Sequence, residues 1–398
     1  MRSQKFIIHT VLMISASLSM SFGQSRFDTL TKSLQGVYQR DSLPGLSVVL
    51  VNEKKIIYQQ SFGYADIEQQ IKYSTKSIQT IGSVSKTFAA IALMKAVELG
   101  YFDLDTEINT ILPFKVVNPN APDSQITVRQ LANHTSGIVD NPALFYDTYQ
   151  FDTTLAGYSP VAYAKLKKLG FNQRINDCSL ARFLYDYLSE KGQYYTKQNF
   201  GLDAAGRSSS YSNIGSALAA YLVEIKSGMS YADFTRRYIL RPLHMRHSSW
   251  FLNAKRLKRY ARPYDDTFLS LPFYHLITYP DGGLRTNTAD LSEYLMALLQ
   301  GYQGKEKLLK KGSYTTMFTP QFSNESPPKG IRLINRNKGI FWNLYVNGTI
   351  GHDGDDPGVS SFLFFNPRTG LGGVFLSNTY IADKKSITDL LMHFTDIR

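Results

Sequence analysis

The stretch Ser83-Val84-Ser85-Lys86 begins a long apolar run, TFAAIALMKAV, which extends to Val97 and predicts a buried helix. On a helix, residues three apart lie on one face about one turn apart. The Ser83 hydroxyl and the Lys86 amine are therefore expected to meet. The first turn also exposes backbone N–H groups and the positive end of the helix dipole, which favour an oxyanion. Because a lysine in apolar surroundings loses its charge more readily and can help to activate a serine, the stretch predicts a nucleophilic Ser83.

The same spacing occurs again in Ser326-Pro327-Pro328-Lys329. Two prolines exclude a helix interior there, because proline lacks a backbone donor and clashes with the preceding turn. This second serine and lysine are expected in a solvated loop, and only the first match has the helical context that the chemistry requires.

The composition predicts a folded protein with an extensive core. The chain has 398 residues, of which 43% are hydrophobic, with 26 Tyr and 24 Phe, enough for one large domain or two interleaved lobes. The formal net charge is +12, but the sequence contains no long basic run. We therefore expect ordinary solvated surface charge and no nucleic-acid partner. The alternative is peripheral contact of the basic surface with an anionic cell envelope. The only cysteine, Cys178, excludes an internal disulfide and is expected to be a small buried residue.

Residues 1–23 have the pattern of a secretory signal peptide. Arg2 and Lys5 precede an apolar segment over residues 6–20, and small residues suit cleavage between Gly23 and Gln24. No cysteine lies near that position, so a lipid anchor is not supported, and no later apolar stretch predicts a transmembrane anchor. The sequence therefore predicts a secreted or periplasmic protein.

Strand patterns lie near both ends of the chain, with mainly helical patterns between them. The predicted strands are residues 46–51, 56–62, 338–346, 349–354, 359–366 and 371–378, with an Asn347-Gly348 turn in the first C-terminal hairpin. The predicted helices, besides the one at Ser83, are residues 28–40, 128–133, 179–190, 214–226, 231–238, 288–300 and 383–394. The predicted fold class is α+β, with an antiparallel sheet built from both chain ends. We expect one domain over residues 24–398, in which residues 24–80 and 335–398 form an α/β lobe and residues 81–334 an inserted helical lobe.

A second group of candidate site residues is Tyr211-Ser212-Asn213, which immediately precedes the apolar helix at 214–226. A tyrosine held near a lysine can ionise and act as the base for a serine, and the Asn213 amide can donate to a substrate carbonyl. Tyr345-Val346-Asn347 has the same Tyr-x-Asn pattern. Its asparagine is accounted for by the predicted Asn347-Gly348 turn, so we do not expect it in the site.

The third group is Gly351-His352-Asp353-Gly354, in the first C-terminal hairpin. Gly354 lets a substrate approach the strand, and the Asp355 N–H is expected to be a second oxyanion donor. The rival triplet Lys226-Ser227-Gly228 ends a predicted helix with a capping glycine, so we favour His352 as the site residue.

These three groups, in this order, resemble the serine β-lactamase and penicillin-binding-protein superfamily, in particular its class C β-lactamase-like hydrolases. The resemblance covers nearly all of the mature chain and includes residues 130–138, 239–245 and 281–291. It implies a five- or six-stranded antiparallel sheet beside a helical domain, an active site in the cleft between them, and no metal or organic cofactor. His134, within the first of these segments, is expected to support the cleft wall.

Two departures from that pattern bear on the substrate. Family β-lactamases usually carry lysine where this chain has His352, which argues against efficient antibiotic destruction. The site strand also carries Asp353, Asp355 and Asp356, whereas these hydrolases commonly have small residues at one or two of these positions. Extra carboxylates near the cleft mouth are expected to disfavour a substrate with an anionic terminus.

The resulting hypothesis is an exported, monomeric serine hydrolase that acts through an acyl-enzyme. Ser83 attacks, Lys86 and Tyr211 handle its proton, His352 assists them, and Asn213, Gly354 and Asp355 bind the substrate. Small esters or short peptides, including D-residue peptides derived from peptidoglycan, are the expected substrates. A cell-wall D,D-carboxypeptidase or endopeptidase, a β-lactamase and a non-catalytic penicillin-binding receptor or scaffold are the alternatives.

Overall fold

The computed structural model describes residues 26–151, 153, 158–173 and 178–396, and the predicted signal segment lies outside them. Its main element is an eight-stranded antiparallel sheet with the order β3-β2-β1-β13-β12-β11-β10-β9. These strands are β1 (Gly45–Asn52), β2 (Ile56–Asp66), β3 (Ile71–Lys72), β9 (Arg336–Lys338), β10 (Asn343–Tyr345), β11 (Ile350–Asp356), β12 (Val359–Asn366) and β13 (Leu371–Ser377). The sheet is thus built from both ends of the described chain, and the α+β prediction is confirmed.

The two chain ends meet at the centre of the sheet, where β1 pairs with β13 and Leu46 lies opposite Ser377. Side chains alternate between the two faces of a strand. On β1, Leu46 and Val48 pack with one apolar cluster, whereas Val49 and Val51 pack with the other. Both faces of the sheet are therefore covered, and this explains why the strand reads as continuously apolar.

Helices cover both faces of the sheet. On one face lie α1 (residues 26–40) and α10 (Lys385–Asp396), and α8 (Thr288–Tyr302) packs against β1 and β13 on the other. The remaining helices are α2 (Ser85–Glu98), α3 (Val128–Ala132), α4 (Pro160–Lys168), α5 (Leu180–Leu188), α6 (Asn213–Ser227), α7 (Tyr231–Thr235) and α9 (Lys311–Phe318). Among the described residues, none of the helices has the length and hydropathy needed to cross a lipid bilayer.

Helix α2 is central to the molecule. All of its residues from Ser85 to Met94 are buried, as the apolar run predicts. Ser83 is not in the helix itself but in the 3₁₀ turn Gly82–Val84, which continues directly into it. The helix ends at Glu98, two residues before the predicted capping residue Gly100, which has a left-handed φ of 72°.

The structure corrects the strand prediction for residues 338–346. Two short strands, β9 and β10, replace the single predicted strand, because the chain turns between them and Phe341 has a φ of 58°. Together with the short β3, this gives eight strands rather than the expected five or six. The Asn347-Gly348 turn is as predicted, with Gly348 at a φ of 85°.

The region between the two sheet-forming ends is less purely helical than predicted. It contains a three-stranded sheet of β5 (Tyr149–Phe151), β6 (Asn172–Gln173) and β7 (Tyr274–Leu276), and a pair formed by β4 (Gln79–Thr80) and β8 (Arg285–Thr286). These strands are two or three residues long, too short for a period-two pattern to appear. Helices α4 and α9 were also not predicted.

Candidate active site

Ser83 lies where the turn before α2 crosses strand β11. Gly82 adopts a φ of 50°, which a residue with a side chain rarely tolerates. A Cβ atom at Gly354 would lie 2.9 Å from the Ser83 nitrogen and 2.2 Å from the Ile81 carbonyl oxygen, so only glycine permits this approach. A Cβ atom on Gly82 would likewise lie 2.8 Å from the Asp355 nitrogen. The crossing thus brings the backbone nitrogens of Ser83 and Asp355 into the same small region.

Lys86 is fully buried and donates to three acceptors. Its Nζ lies 3.1 Å from Ser83 Oγ, 2.6 Å from Asn213 Oδ1 and 2.7 Å from the Asp281 carbonyl oxygen. Three acceptors match the three protons of an ammonium group. The predicted meeting of Ser83 and Lys86 is therefore present, and Asn213 joins it.

Burial lowers the pKa of Lys86, because removal from water disfavours the charged form. The carboxyls of Asp281, Asp140 and Asp356 oppose this effect by favouring the ammonium. The Lys86 proton is thus held less tightly than that of a solvated lysine, as a proton carrier beside a nucleophile requires.

Tyr211 contacts the same serine from the cleft. Its hydroxyl donates to Ser83 Oγ at 2.7 Å, and Lys86 Nζ lies 4.9 Å from the centre of its ring. One face of the side chain is exposed in the cleft, but enclosure of the hydroxyl raises the pKa of Tyr211 well above its usual value. The resting tyrosine is therefore a neutral phenol that donates to Ser83.

His134 supports Tyr211, in agreement with its predicted place in the cleft wall. The two ring centroids lie 4.5 Å apart, and His134 Nδ1 accepts from the Ser212 N–H at 3.3 Å. Burial lowers the pKa of His134 well below its usual value, so the ring is neutral at pH 7. His134 therefore holds the backbone beside Tyr211 and carries no charge.

Asp140 fixes the start of α6 and was missed from the sequence. Its carboxylate accepts from the Asn213 N–H at 2.9 Å, the Ile214 N–H at 3.1 Å and the Ser212 hydroxyl at 3.0 Å. A carboxylate at a helix N-terminus accepts hydrogen bonds from the free N–H groups and interacts favourably with the positive end of the helix dipole. It thereby holds Asn213 against Lys86. Asp140 lies two residues after the segment 130–138, and no sequence motif of its own indicated that it contacts the start of α6.

His352 lies beside this group of residues but is not hydrogen-bonded to Tyr211 in the described part of the chain. Its ring centroid is 6.3 Å from that of Tyr211, and Nδ1 donates to the Asp353 carbonyl oxygen at 2.6 Å. Burial lowers the pKa of His352 to about 4. The neutral ring therefore has a proton on Nδ1 and an acceptor at Nε2.

The three predicted acids of β11 have different surroundings. Asp353 and Asp355 line the cleft, and the Lys384 ammonium lies 3.6 Å and 2.5 Å from their respective carboxylates. Asp356 is instead buried behind the strand, where the Tyr149 hydroxyl donates to it at 2.5 Å. The expectation of three carboxylates near the cleft mouth is therefore wrong for Asp356, which is buried, whereas Asp353 and Asp355 line the cleft and share one lysine.

The rival motifs lie apart from the described hydrogen-bond network of Ser83. Lys226 is exposed at the end of α6, where Gly228 caps the helix with a φ of 66°. Ser326 is exposed, and Lys329 forms an ion pair with Asp203 at 2.7 Å. Tyr345, which begins the second Tyr-x-Asn sequence, nevertheless lines the far wall of the cleft.

Ser83 opens into a cavity of about 820 Å³. Its walls come from the helical region and from the edge of the large sheet. They include Ser83, His134, Ser209, Tyr211, Asn213, Arg332, Asn335, Arg336, Lys338, Asn343, Tyr345, His352, Asp353 and Asp355. Such a volume accommodates a small organic ligand or a short peptide.

Comparisons with known proteins agree with this arrangement. Residues 27–391 match the family model described as Beta-lactamase. The chain is 24% identical over 359 residues to protein flp of Staphylococcus aureus (strain MRSA252), covering 89% of this chain and 63% of that protein. It is 26% identical over 348 residues to penicillin-binding protein 4* of Bacillus subtilis (strain 168), covering 81% and 65%. The chain thus spans less than two thirds of the length of these relatives.

Two solved structures share the fold. An octameric penicillin-binding protein homologue from Pyrococcus abyssi superimposes with a TM-score of 0.71 at 22% identity, covering 92% of this chain and 77% of that one. A class C β-lactamase gives a TM-score of 0.69 at 19% identity and covers 94% and 96%. Because the family model extends from α1 into α10 and includes every residue of the Ser83 site, the chain belongs to the β-lactamase family of serine hydrolases and penicillin-binding proteins.

Proposed function

We propose that this protein is a serine hydrolase that cleaves small esters or short peptides through an acyl-enzyme on Ser83. One observation carries the proposal: Ser83 Oγ accepts hydrogen bonds from both Lys86 Nζ and the Tyr211 hydroxyl, at the floor of an open cleft. A nucleophilic serine with two groups able to carry its proton is the arrangement that acyl transfer requires.

The acylation step follows from these contacts. Loss of one proton from Lys86, which burial favours, leaves an amine 3.1 Å from Ser83 Oγ. The amine accepts the hydroxyl proton as Oγ bonds to the substrate carbonyl carbon. The Tyr211 hydroxyl, 2.7 Å from the same oxygen, gives its proton to the leaving group and is reprotonated from Lys86. Water then attacks the ester on Ser83 by the reverse proton route and releases the acid.

The backbone supplies the oxyanion site in this mechanism. The backbone nitrogens of Ser83 and Asp355 both lie at the crossing formed by Gly82 and Gly354. Two preorganised donors stabilise the negative charge that develops on the carbonyl oxygen. Asn213, held between Lys86 and the helix start by Asp140, is positioned to contact the substrate.

His352 argues for esters and peptides rather than antibiotics. Its ring is neutral at pH 7, with a pKa of about 4, and so provides no cation beside the nucleophile for an antibiotic carboxylate. In the tautomer fixed by the Asp353 carbonyl, Nε2 is left as an acceptor and can bind a donor group of the substrate.

A substrate panel with active-site labelling tests the proposal. Purified protein is treated with a fluorescent fluorophosphonate and assayed with p-nitrophenyl esters, D-amino-acid anilides, D-Ala-D-Ala peptides and nitrocefin. Label on Ser83, together with ester or anilide turnover that exceeds nitrocefin turnover, supports the proposal. Preferred cleavage of D-Ala-D-Ala peptides would indicate a carboxypeptidase. An unlabelled serine with no turnover would indicate a non-catalytic receptor or scaffold.

We further propose that the protein acts outside the cytoplasm. The support is the sequence of residues 1–23, with Arg2 and Lys5 before an apolar segment. N-terminal sequencing of the protein from the extracytoplasmic fraction should begin at Gln24. Recovery of the intact N-terminus from the cytoplasm would contradict export.

A further inference from the structure

The wall of the cleft formed by β9, β10 and the loop before them carries three basic side chains, Arg332, Arg336 and Lys338. Arg336 and Lys338 are two residues apart on β9 and therefore share a face of the sheet. Their direct partners on β10 are Tyr345 and Asn343. All five side chains line the cavity that contains Ser83.

The three cations form no direct ion pair among the described residues, although the Asp353 carboxylate is near enough to favour the charged form of Lys338. Among the described residues, no carboxylate lies within ion-pair distance of Arg332, Arg336 or Lys338, whereas Lys384 holds both Asp353 and Asp355. Lys338 is partly buried and donates to Asn343 Oδ1 at 2.7 Å, a neutral acceptor. Burial and the nearby Arg336 guanidinium lower the pKa of Lys338 to about 8, so the group is still mainly charged at pH 7. The wall is therefore a set of like charges that an anion would stabilise.

The surrounding contacts hold these residues in place. The segment before Arg332 is joined to the chain leading into Tyr211, because the Ser209 N–H donates to the Lys329 carbonyl at 2.8 Å. Strand β9 is paired in register with β10, and β10 pairs with the strand that bears His352. The basic wall and the catalytic side of the cleft are thus built on connected backbone.

We propose that Arg332, Arg336 and Lys338 form an anion subsite that binds a carboxylate or phosphate group carried by the substrate, away from its scissile carbonyl. This inference rests on the proposed function of Ser83 and adds the substrate class. Guanidinium groups present paired N–H donors that match the oxygens of carboxylate and phosphate. The anion belongs to the part of the substrate that lies against β9 and β10, while the reacting carbonyl lies against Ser83.

The subsite reverses the expectation drawn from the three acids of β11. Asp356 is buried outside the cleft, and Lys384, which pairs with both Asp353 and Asp355, offsets the charge of one of them. The four cations Arg332, Arg336, Lys338 and Lys384 still outnumber the two cleft carboxylates, so the net charge around the cleft remains positive. An anionic substrate is therefore attracted to this cleft.

Matched esters test the subsite. The probes are p-nitrophenyl hydrogen glutarate, its neutral counterpart p-nitrophenyl methyl glutarate, and the corresponding 4-phosphonobutyrate ester. Wild-type protein should show a higher kcat/KM for an anionic ester than for the neutral one, by about tenfold or more at low salt. The ratio should fall as salt rises, because ions screen the attraction. The larger of the two anionic ratios identifies carboxylate or phosphate as the preferred group.

The double variant Arg332→Gln/Arg336→Gln should reduce the anionic-to-neutral ratio to about one. A matched control, Lys226→Gln/Lys255→Gln, removes the same charge from exposed positions outside the cleft and should leave the ratio unchanged. A ratio that is close to one in wild type, or is equally high in both variants, would overturn the subsite.

Binding without turnover separates this inference from the proposed function. In the Ser83→Ala background, calorimetry with p-nitrophenyl hydrogen glutarate should give a Kd about tenfold weaker once Arg332 and Arg336 are also glutamine. Equal affinities would overturn the subsite even if Ser83 proves to be the nucleophile. A tenfold difference in a protein whose Ser83 is neither labelled nor active would support the subsite and reject the hydrolase.

Discussion

Lys86 Nζ donates to the backbone carbonyl of Asp281 at 2.7 Å, joining the nucleophile's helix to a turn 195 residues later in the chain. The contact places the Asp281 side chain next to the buried ammonium. The carboxyl of Asp281 is itself buried, with one oxygen that lacks a hydrogen-bond partner among the described residues. The Asp281 carboxyl therefore favours the charged form of Lys86 and opposes the effect of burial on its pKa, although Asp281 lies outside the Ser83, Tyr211 and His352 groups.

The first prediction concerns the nucleophile. Ser83→Ala should reduce kcat of the best substrate by on the order of 10³-fold or more, since only binding and oxyanion contacts remain. Ser326→Ala is the matched control, because that serine has the same spacing to a lysine but is exposed in a loop, and it should retain activity. Full activity of Ser83→Ala would reject the assignment.

The second prediction is that Lys86 and Tyr211 act as one proton-handling unit. Both donate to the same Ser83 oxygen, so removal of either interrupts one proton route. The double variant Lys86→Ala/Tyr211→Phe should be little slower than the slower single variant, as expected for residues that act as a unit. Losses in kcat/KM that multiply in the double variant would show that the residues act independently.

The third prediction concerns His352. Because the ring is buried and its pKa is lowered to about 4, the pH profile of kcat/KM should show no inflection from this histidine above about pH 5. His352→Ala should slow turnover strongly with an unchanged circular dichroism spectrum. Lys226→Ala should change kcat/KM by less than about threefold, as for an exposed helix end. The reverse order of effects would make the Lys226 triplet the site.

The fourth prediction links pH to stability through Asp356. Burial raises its pKa to about 7, so between about pH 4 and pH 7 the folded protein binds a proton that the unfolded chain has lost. The stabilising contribution is full below the unfolded pKa and is lost as pH rises through 7. Asp356→Asn keeps the acceptor for Tyr149 without a charge, so it should be more stable than wild type at pH 8 by at most a few kcal/mol.

Urea unfolding at pH 5 and pH 8 measures this difference. The loss of stability on raising the pH should be smaller in Asp356→Asn than in wild type. Asp355→Asn is the neighbouring control, since its carboxylate is paired with Lys384 on the cleft side. An identical pH dependence in wild type and Asp356→Asn would contradict a protonated Asp356.

The fifth prediction concerns the two carboxylates that share Lys384. Lys384→Gln should leave Asp353 and Asp355 unpaired in the cleft, so the preference for the anionic ester should fall by several-fold. Lys385→Gln is the control, because the adjacent lysine is exposed and pairs with Asp389 on its own helix. Equal ratios of kcat/KM for the two esters in both variants would mean that the acids do not affect the substrate.

The sequence predicted the parts of the protein that depend on local pattern. The long apolar strands, the buried helix after Ser83 and the Asn347-Gly348 turn are each encoded by adjacent residues. The short strands β3, β5 and β6 were not predictable, because their pairing depends on distant segments. The break between β9 and β10 was missed for a similar reason, since the unusual φ of Phe341 has no simple sequence signal.

The same distinction applies to the site. Ser83, Lys86, Tyr211 and Asn213 were predicted together, and hydrogen bonds connect them. The sequence did not predict that Asp140 would hold the start of α6 or that Asp356 would be buried. Both placements arise from the packing of loops and strands around Lys86. Side-chain direction was also decisive, since Asp355 and Asp356 are adjacent on one strand but lie on opposite faces.

The pairing of β1 with β13 has a consequence for biosynthesis. Strand β1 is made long before β13, its neighbour at the centre of the sheet. Until β13 has been made, the inner edge of β1 has no native partner, and an unpaired strand edge readily joins other chains. Completion of the sheet must therefore await residue 377. Chaperone dependence during translation is the expected cost of this topology.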